Sequence, residues 1–394
     1  MGSRVSLRIG GVSLLVLGSL AFTPIGSTLA PDFGQPLAGL TADQLEQFDA
    51  GKDEFEEVET VDDGIGPIFN DVSCGSCHGT PAIGGGSETL ETRFGKTKSN
   101  GKFDPLSQFG GSLIQKQGIG GFGTCMYLAE IVPSQATITA DRRTTPLFGL
   151  GLVDATPDQT FWDLANAEKC DPDTAGKVSV VTNITTGLDA VGKFGWKCQN
   201  PTLFQFSGDA YLNEMGITSP QFPDENCPQG DCGSLSCNPM PGLNDDGSDV
   251  QAFADFMTFL APPPRGPITH AVNDGEDVFD NIGCVSCHTA TLRTGPNAVA
   301  ALNKVKYHPY SDFLLHDMGS LGDKITQNLA TGKYMRTAPL WGARKLTTLL
   351  HDGSAKSLDE AILAHAGQGK KARNKYAGLP SWKKTNLIAF LNSL

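Results

Sequence analysis

Two five-residue strings decide how this chain is read: Cys74-Gly75-Ser76-Cys77-His78 and Cys284-Val285-Ser286-Cys287-His288. C-x-x-C-H is the pattern of covalent haem attachment. Two thioether bonds hold the porphyrin vinyl groups, and the adjacent imidazole faces the iron. The rival reading, a four-cysteine zinc site, leaves both extra histidines unexplained and needs pairs far apart in sequence. The expectation is therefore two covalently bound haem c groups, held by Cys74, Cys77, Cys284 and Cys287, with His78 and His288 as iron ligands.

The flanks repeat. Phe69 and Phe279 each stand five residues before the first cysteine of a motif, and Gly66 and Gly275 precede them. The stretch 274–282 has the apolar spacing of an amphipathic helix leading into the motif. The stretches 250–260 and 387–394 read as two closing helices. Between them the proline-rich run 262–267 marks a boundary. Arg143-Thr144-Thr145-Pro146-Leu147-Phe148-Gly149 is echoed by Arg336-Thr337-Ala338-Pro339-Leu340-Trp341-Gly342, each downstream of a haem motif. Two copies of one haem module account for this order. The expected fold class is mainly α: two cytochrome c-like helical haem domains, 31–264 and 268–394. A loop-rich, disulfide-containing insertion is expected in the first, at about 158–247.

Residues 1–30 read as a signal peptide. Arg4 and Arg8 are followed by a short apolar run and the small residues before Pro31. The expectation is export to the periplasm, with no stable membrane insertion after cleavage. Ten cysteines suit an oxidising compartment. The six outside the haem motifs, Cys125, Cys170, Cys198, Cys227, Cys232 and Cys237, are expected to form three disulfides, their pairing left open. With 30 Lys and Arg against 43 Asp and Glu, the net charge is −13. That argues against nucleic acid as a partner and suits a partner with a basic face.

The order of these strings, with Leu350-His351-Asp352-Gly353, resembles the bacterial di-haem cytochrome c peroxidase and MauG-like superfamily. It is more closely similar to its di-haem oxidoreductase family, often labelled thiol oxidoreductases. The strings Phe194-Gly195-Trp196-Lys197, Asp209-Ala210-Tyr211-Leu212-Asn213-Glu214-Met215-Gly216 and Leu315-His316-Asp317-Met318-Gly319 carry the likeness further. It covers nearly all of the chain after the leader and implies two haem domains facing one another.

The resemblance implies site residues. The helix 358–365 matches the one that ends in the second haem's distal ligand, often Met or Tyr; here His365 stands there. Between His78 and His270 there is no histidine, so an open first iron is expected, with Met126 and Met215 as the alternatives. In the superfamily the catalytic acid follows the first R-x-x-P-L string, which points to Asp154. Arg143 and Arg336 are expected to pair with haem propionates or neighbouring backbone, a structural role. Trp196 is a candidate electron relay, and the acidic loop 244–249 a candidate calcium site. The expected activity is peroxidase-like. A small cytochrome or cupredoxin feeds the second haem, and the first reduces hydrogen peroxide or oxidises a small substrate. A non-enzymatic di-haem electron carrier and a di-haem oxygenase are the alternatives.

Overall fold

The computed structural model describes residues 32–394. The expected signal peptide lies outside the described residues.

Two helix pairs carry the fold. Helix α7 (His270–Ile282) starts where the Thr269 side chain accepts the Val272 N–H, and stops at Gly283, whose φ of 96° ends the helix. It buries Val272, Val278, Phe279 and Ile282. Against it packs the closing helix α10 (Ser381–Leu391). The approach is so close that a Cβ on Gly275 would lie 2.0 Å from the Asn386 carbonyl oxygen.

The first half repeats this arrangement. Helix α1 (Ala42–Glu56) begins with a capping box between Thr41 and Gln44. It packs on the closing helix α6 (Ser248–Phe259). Here a Cβ on Gly51 would lie 2.3 Å from the Ala252 carbonyl oxygen. The true repeat is thus Gly51-x-x-x-Phe55 with Gly275-x-x-x-Phe279. The expected partners Gly66 and Phe69 are not in a helix, because Phe69 ends a short strand, Ile68–Phe69. The extra chain between α1 and the first motif hid the repeat.

Each motif follows as a tight turn. Cys74–Cys77 forms the short helix α2, and Cys284–Ser286 a 3₁₀ turn. Further helices are α3 (Leu150–Asp154), α4 (Asp158–Glu168), α5 (Leu203–Met215), α8 (Leu358–Ala364) and α9 (Lys370–Ala377). A three-stranded antiparallel sheet, centred on Leu90–Thr97 and paired with Ile138–Arg143 and Phe103–Asp104, fills the stretch after the first motif. Small antiparallel pairs occur elsewhere, so the chain is helical at its cores with more strand than expected.

The larger core joins residues of α1, α3, α5 and α6 to Leu292, Leu302, Tyr307, Phe313, Leu314 and Trp341. The smaller core is built from α7, α10, Tyr310 and Tyr376. The stretch 158–247 is only partly loop: α4, a hairpin at Ser179–Gly192 and the core helix α5 lie within it. It takes part in two disulfides, Cys125–Cys237 and Cys227–Cys232. The expected third does not form: Cys198 is sealed in the core while Cys170 is exposed. No helix among the described residues is long and apolar enough to cross a membrane.

Candidate functional site

Each C-x-x-C-H string opens onto a cavity. The first, of about 740 Å³, is lined by Cys74, Cys77 and His78. The second, of about 340 Å³, is lined by Cys284, Cys287 and His288. Both fall in the size range of cofactor pockets, about 300–1,000 Å³. All four cysteines are unpaired.

The imidazoles are set as iron ligands need. His78 Nδ1 lies 3.0 Å from the Gly85 carbonyl, and His288 Nδ1 lies 2.9 Å from the Tyr310 carbonyl. A carbonyl only accepts, so Nδ1 carries the proton and Nε2 keeps its lone pair. Burial lowers both pKa values to about 4, keeping the rings neutral. Phe55 meets the edge of His78 at 5.8 Å, and Phe279 is tilted against His288 at 6.2 Å, the same brace in both halves.

The second cavity has a facing imidazole. α8 starts at Ser357, whose side chain accepts the Glu360 N–H, and ends at His365. His365 Nδ1 donates to Ala361 O at 2.7 Å, again leaving Nε2 free. The centroids of His288 and His365 are 6.5 Å apart. Two metal–nitrogen bonds of about 2 Å each plus two ring radii come close to that separation. Beneath this cavity His316 Nε2 bonds Asp312 Oδ2 at 2.9 Å and its Nδ1 lies 3.6 Å from Cys287 Sγ. Burial opposes the charge, but Asp312 and then Cys287 hold His316 protonated, at about 11.

The first cavity has no facing imidazole among its lining residues; its wall is charged instead. Glu91, Arg93, Asp209 and Glu214 line it. Arg93 grips Glu91 through Nε and Nη2 at 3.0 and 3.2 Å. Glu214 accepts from Asn70 Nδ2 at 2.7 Å. Burial, then Glu91, pushes the Glu214 carboxyl up to about 7, against the pull of Arg93 and Asn70.

The two cavities share a wall. Arg143 and Trp196 line both. Trp196 Nε1 donates to Arg143 O at 2.7 Å, Arg336 N–H donates to Trp196 O at 2.9 Å, and Arg336 Nε donates to Gly195 O at 2.9 Å. The Phe194–Lys197 string therefore stitches both R-x-x-P-L strings together. Arg143 is 6% exposed and its Nε has no partner. Burial alone lowers its pKa to about 10. A buried guanidinium without a carboxylate calls for an anionic occupant, which haem propionates supply. Unpaired thiols, neutral imidazoles and this orphan cation all fit haem.

Other expected residues fall elsewhere. Asp154 lines neither cavity; at the end of α3 it accepts the Leu203 N–H at 3.4 Å, anchoring the start of α5, and burial raises its pKa to about 6. Met126 is 66% exposed on a hairpin, whereas Met215 lines the first cavity. In the acidic loop Asp245 Oδ1 accepts the N–H groups of Gly247 and Asp249, so it caps α6, and Asn244 is bonded to Thr218. Glu214 was missed because its helix lies in the stretch read as loops. The Thr202-x-x-Gln205 pattern that starts α5 was the available signal.

Comparison with known proteins gives distant structural likenesses. Hydrazine synthase of Kuenenia stuttgartiensis is 14% identical over 100% of both chains, TM-score 0.38. A MauG-like protein associated with microbial copper homeostasis is 14% identical over 93% of this chain and 94% of that one, TM-score 0.39. The di-haem peroxidase BthA from Burkholderia thailandensis is 14% identical over 89% and 86%, TM-score 0.39. No curated protein matches. The sequence pattern of the family described as "Di-haem oxidoreductase, putative peroxidase" matches residues 132–394, and the chain belongs to that family.

Proposed function

We propose that this member of the di-haem oxidoreductase family is an exported, periplasmic c-type enzyme with peroxidase-like activity. Electrons enter at the second site, and hydrogen peroxide is reduced at the first. One contrast carries the reading: two imidazoles face each other across the second cavity, and a single imidazole meets a charged wall in the first.

Haem supplies iron that exchanges electrons and, where a coordination position stays open, meets peroxide. The chain supplies the rest. The thiols of Cys74, Cys77, Cys284 and Cys287 would hold both haems as thioethers to their vinyl groups. His78, His288 and His365 present Nε2. Arg143 and Arg336 meet the propionates. Glu214, poised near neutral pH, gives up and takes back a proton, the role expected of Asp154. Arg93 favours negative charge developing beside it. Trp196, on both walls, is the side chain placed to pass electrons between the sites. Asp245 Oδ1 bonds the start of α6 while its Oδ2 is buried without a partner, and calcium at the loop 244–249 stays part of this proposal.

The test is the electron paramagnetic resonance and visible spectrum of the oxidised holoprotein. One low-spin and one high-spin haem are expected, and His365→Ala should convert the low-spin signal to high-spin. An unchanged spectrum in that variant removes His365 from the iron. Met215 and Met257 line the first cavity. Two low-spin haems in the wild type would therefore favour a thioether there and a plain electron carrier.

A further inference from the structure

Charge is unevenly spread along the chain. Residues 361–394 hold six of the 30 Lys and Arg residues and none of the 43 Asp and Glu residues. Four of the six, Lys370, Lys371, Arg373 and Lys375, are on α9. Lys371, Arg373 and Lys375 also line the mouth of the second cavity, next to His365. Lys370, Lys371 and Lys375 are exposed.

The fold itself does not need this charge. Lys370 and Lys371 occupy the first turn of α9, where the helix dipole disfavours cations. Among the described residues only Lys371 of the six has an acidic partner, Asp173 at 3.3 Å, and both are more than half exposed. Such a pair contributes about 0–1 kcal/mol. The acidic helix α7 bounds the strip on one side, where Lys375 Nζ donates to Asn281 O at 3.5 Å. A chain of net charge −13 thus carries a confined positive strip at the rim of one cavity.

We propose that Lys370, Lys371, Arg373 and Lys375 form the docking surface for a small redox protein with an acidic face. This rests on the second cavity being the electron-entry site. The partner is therefore opposite in charge to the one that the overall acidity suggests. In the encounter the partner's centre loses one electron and the group held by His288 and His365 gains it; no proton moves. Charge complementarity names the occupant, and the place where the strip sits says what it delivers. The exposed large apolar side chains of this stretch, Leu363 and Trp382, lie outside α9, and an anionic membrane is an outcome that the experiment separates.

The experiment uses the full holoprotein, a reduced acidic ferredoxin as probe, and hexaammineruthenium(II) as a small cationic reductant. The bimolecular rate with ferredoxin should fall steeply as salt rises from about 10 mM to about 500 mM. The triple variant Lys370→Glu, Lys371→Glu, Lys375→Glu should slow it about tenfold or more at low salt. The same variant should weaken binding of oxidised ferredoxin, followed by titration, and keep both haem spectra. Its reduction by the ruthenium reagent should be no slower than in wild type. A ferredoxin rate indifferent to salt, or unchanged in the triple variant, overturns the proposal. So does capture by phosphatidylglycerol vesicles that the variant loses while its ferredoxin rate stays intact. Peroxide turnover driven by the ruthenium reagent tests the reading of the sites separately, since that reagent needs no docking.

Discussion

Three imidazoles in this chain spend Nδ1–H on a backbone carbonyl, at Gly85, Tyr310 and Ala361. That choice leaves Nε2 free to bind a metal, and it cannot be read from a histidine's position in sequence. The C-x-x-C-H strings were legible because their signature is confined to five consecutive residues. Glu214 was not, because its partners Asn70 and Arg93 come from distant segments. Glu214→Gln should lower peroxide turnover by about 10²- to 10⁴-fold with both haems retained. The wild-type pH–rate profile should carry a limb near pH 7, from a carboxyl raised to about that value, and the variant should lose it. A limb that persists in the variant would assign the proton to another group.

At the scale of elements, two glycines set the helix pairs. Gly51 lets α1 reach α6, and Gly275 lets α7 reach α10. Gly275→Ala gains up to about 1 kcal/mol of helix propensity. The new methyl group, however, meets the Asn386 carbonyl at 2.0 Å, with backbone on the far side. Overpacking of this kind costs about 1–3 kcal/mol or more, so a net loss of stability is expected. A denaturation midpoint equal to wild type would show that α10 shifts freely. Apolar periodicity made α6 and α7 visible; α10 was read only as 387–394 where it spans Ser381–Leu391, and α8 came from the family resemblance. The strands were not visible: most are two to four residues long, and the longest pair, Leu90–Thr97 with Ile138–Arg143, joins segments some 50 residues apart. Nor was the α1 repeat, because a loop separates Phe55 from Cys74.

Across the whole molecule, early and late parts of the chain are bound by a buried ion cluster. Asp323 Oδ2 accepts from Arg142 Nε and Nη2 at 2.9 and 2.7 Å, and Asp323 Oδ1 lies 2.8 Å from Lys197 Nζ. All three side chains are at most 1% exposed. Burial alone would raise the Asp323 pKa; Arg142 and then Lys197 bring it below its ordinary value. The stability it lends is therefore complete above the unfolded carboxyl's pKa and is lost as pH falls through the lowered folded value. Asp323→Asn leaves Lys197 without a carboxylate and Arg142 with only Glu91, and should cost about 3–5 kcal/mol in a denaturant titration. A smaller loss would mean that Glu91 takes up the charge of Arg142, from which it stands 3.6 Å.

Arg143 is the opposite case, a buried cation that no carboxylate among the described residues answers. Because Arg143 lines both cavities, its one charge would answer an anionic occupant in either. Linkage then runs both ways: whatever free energy the occupant of one cavity draws from that charge, it alters for the other by the same amount. A change of charge in either cavity would then be felt at the other through Arg143.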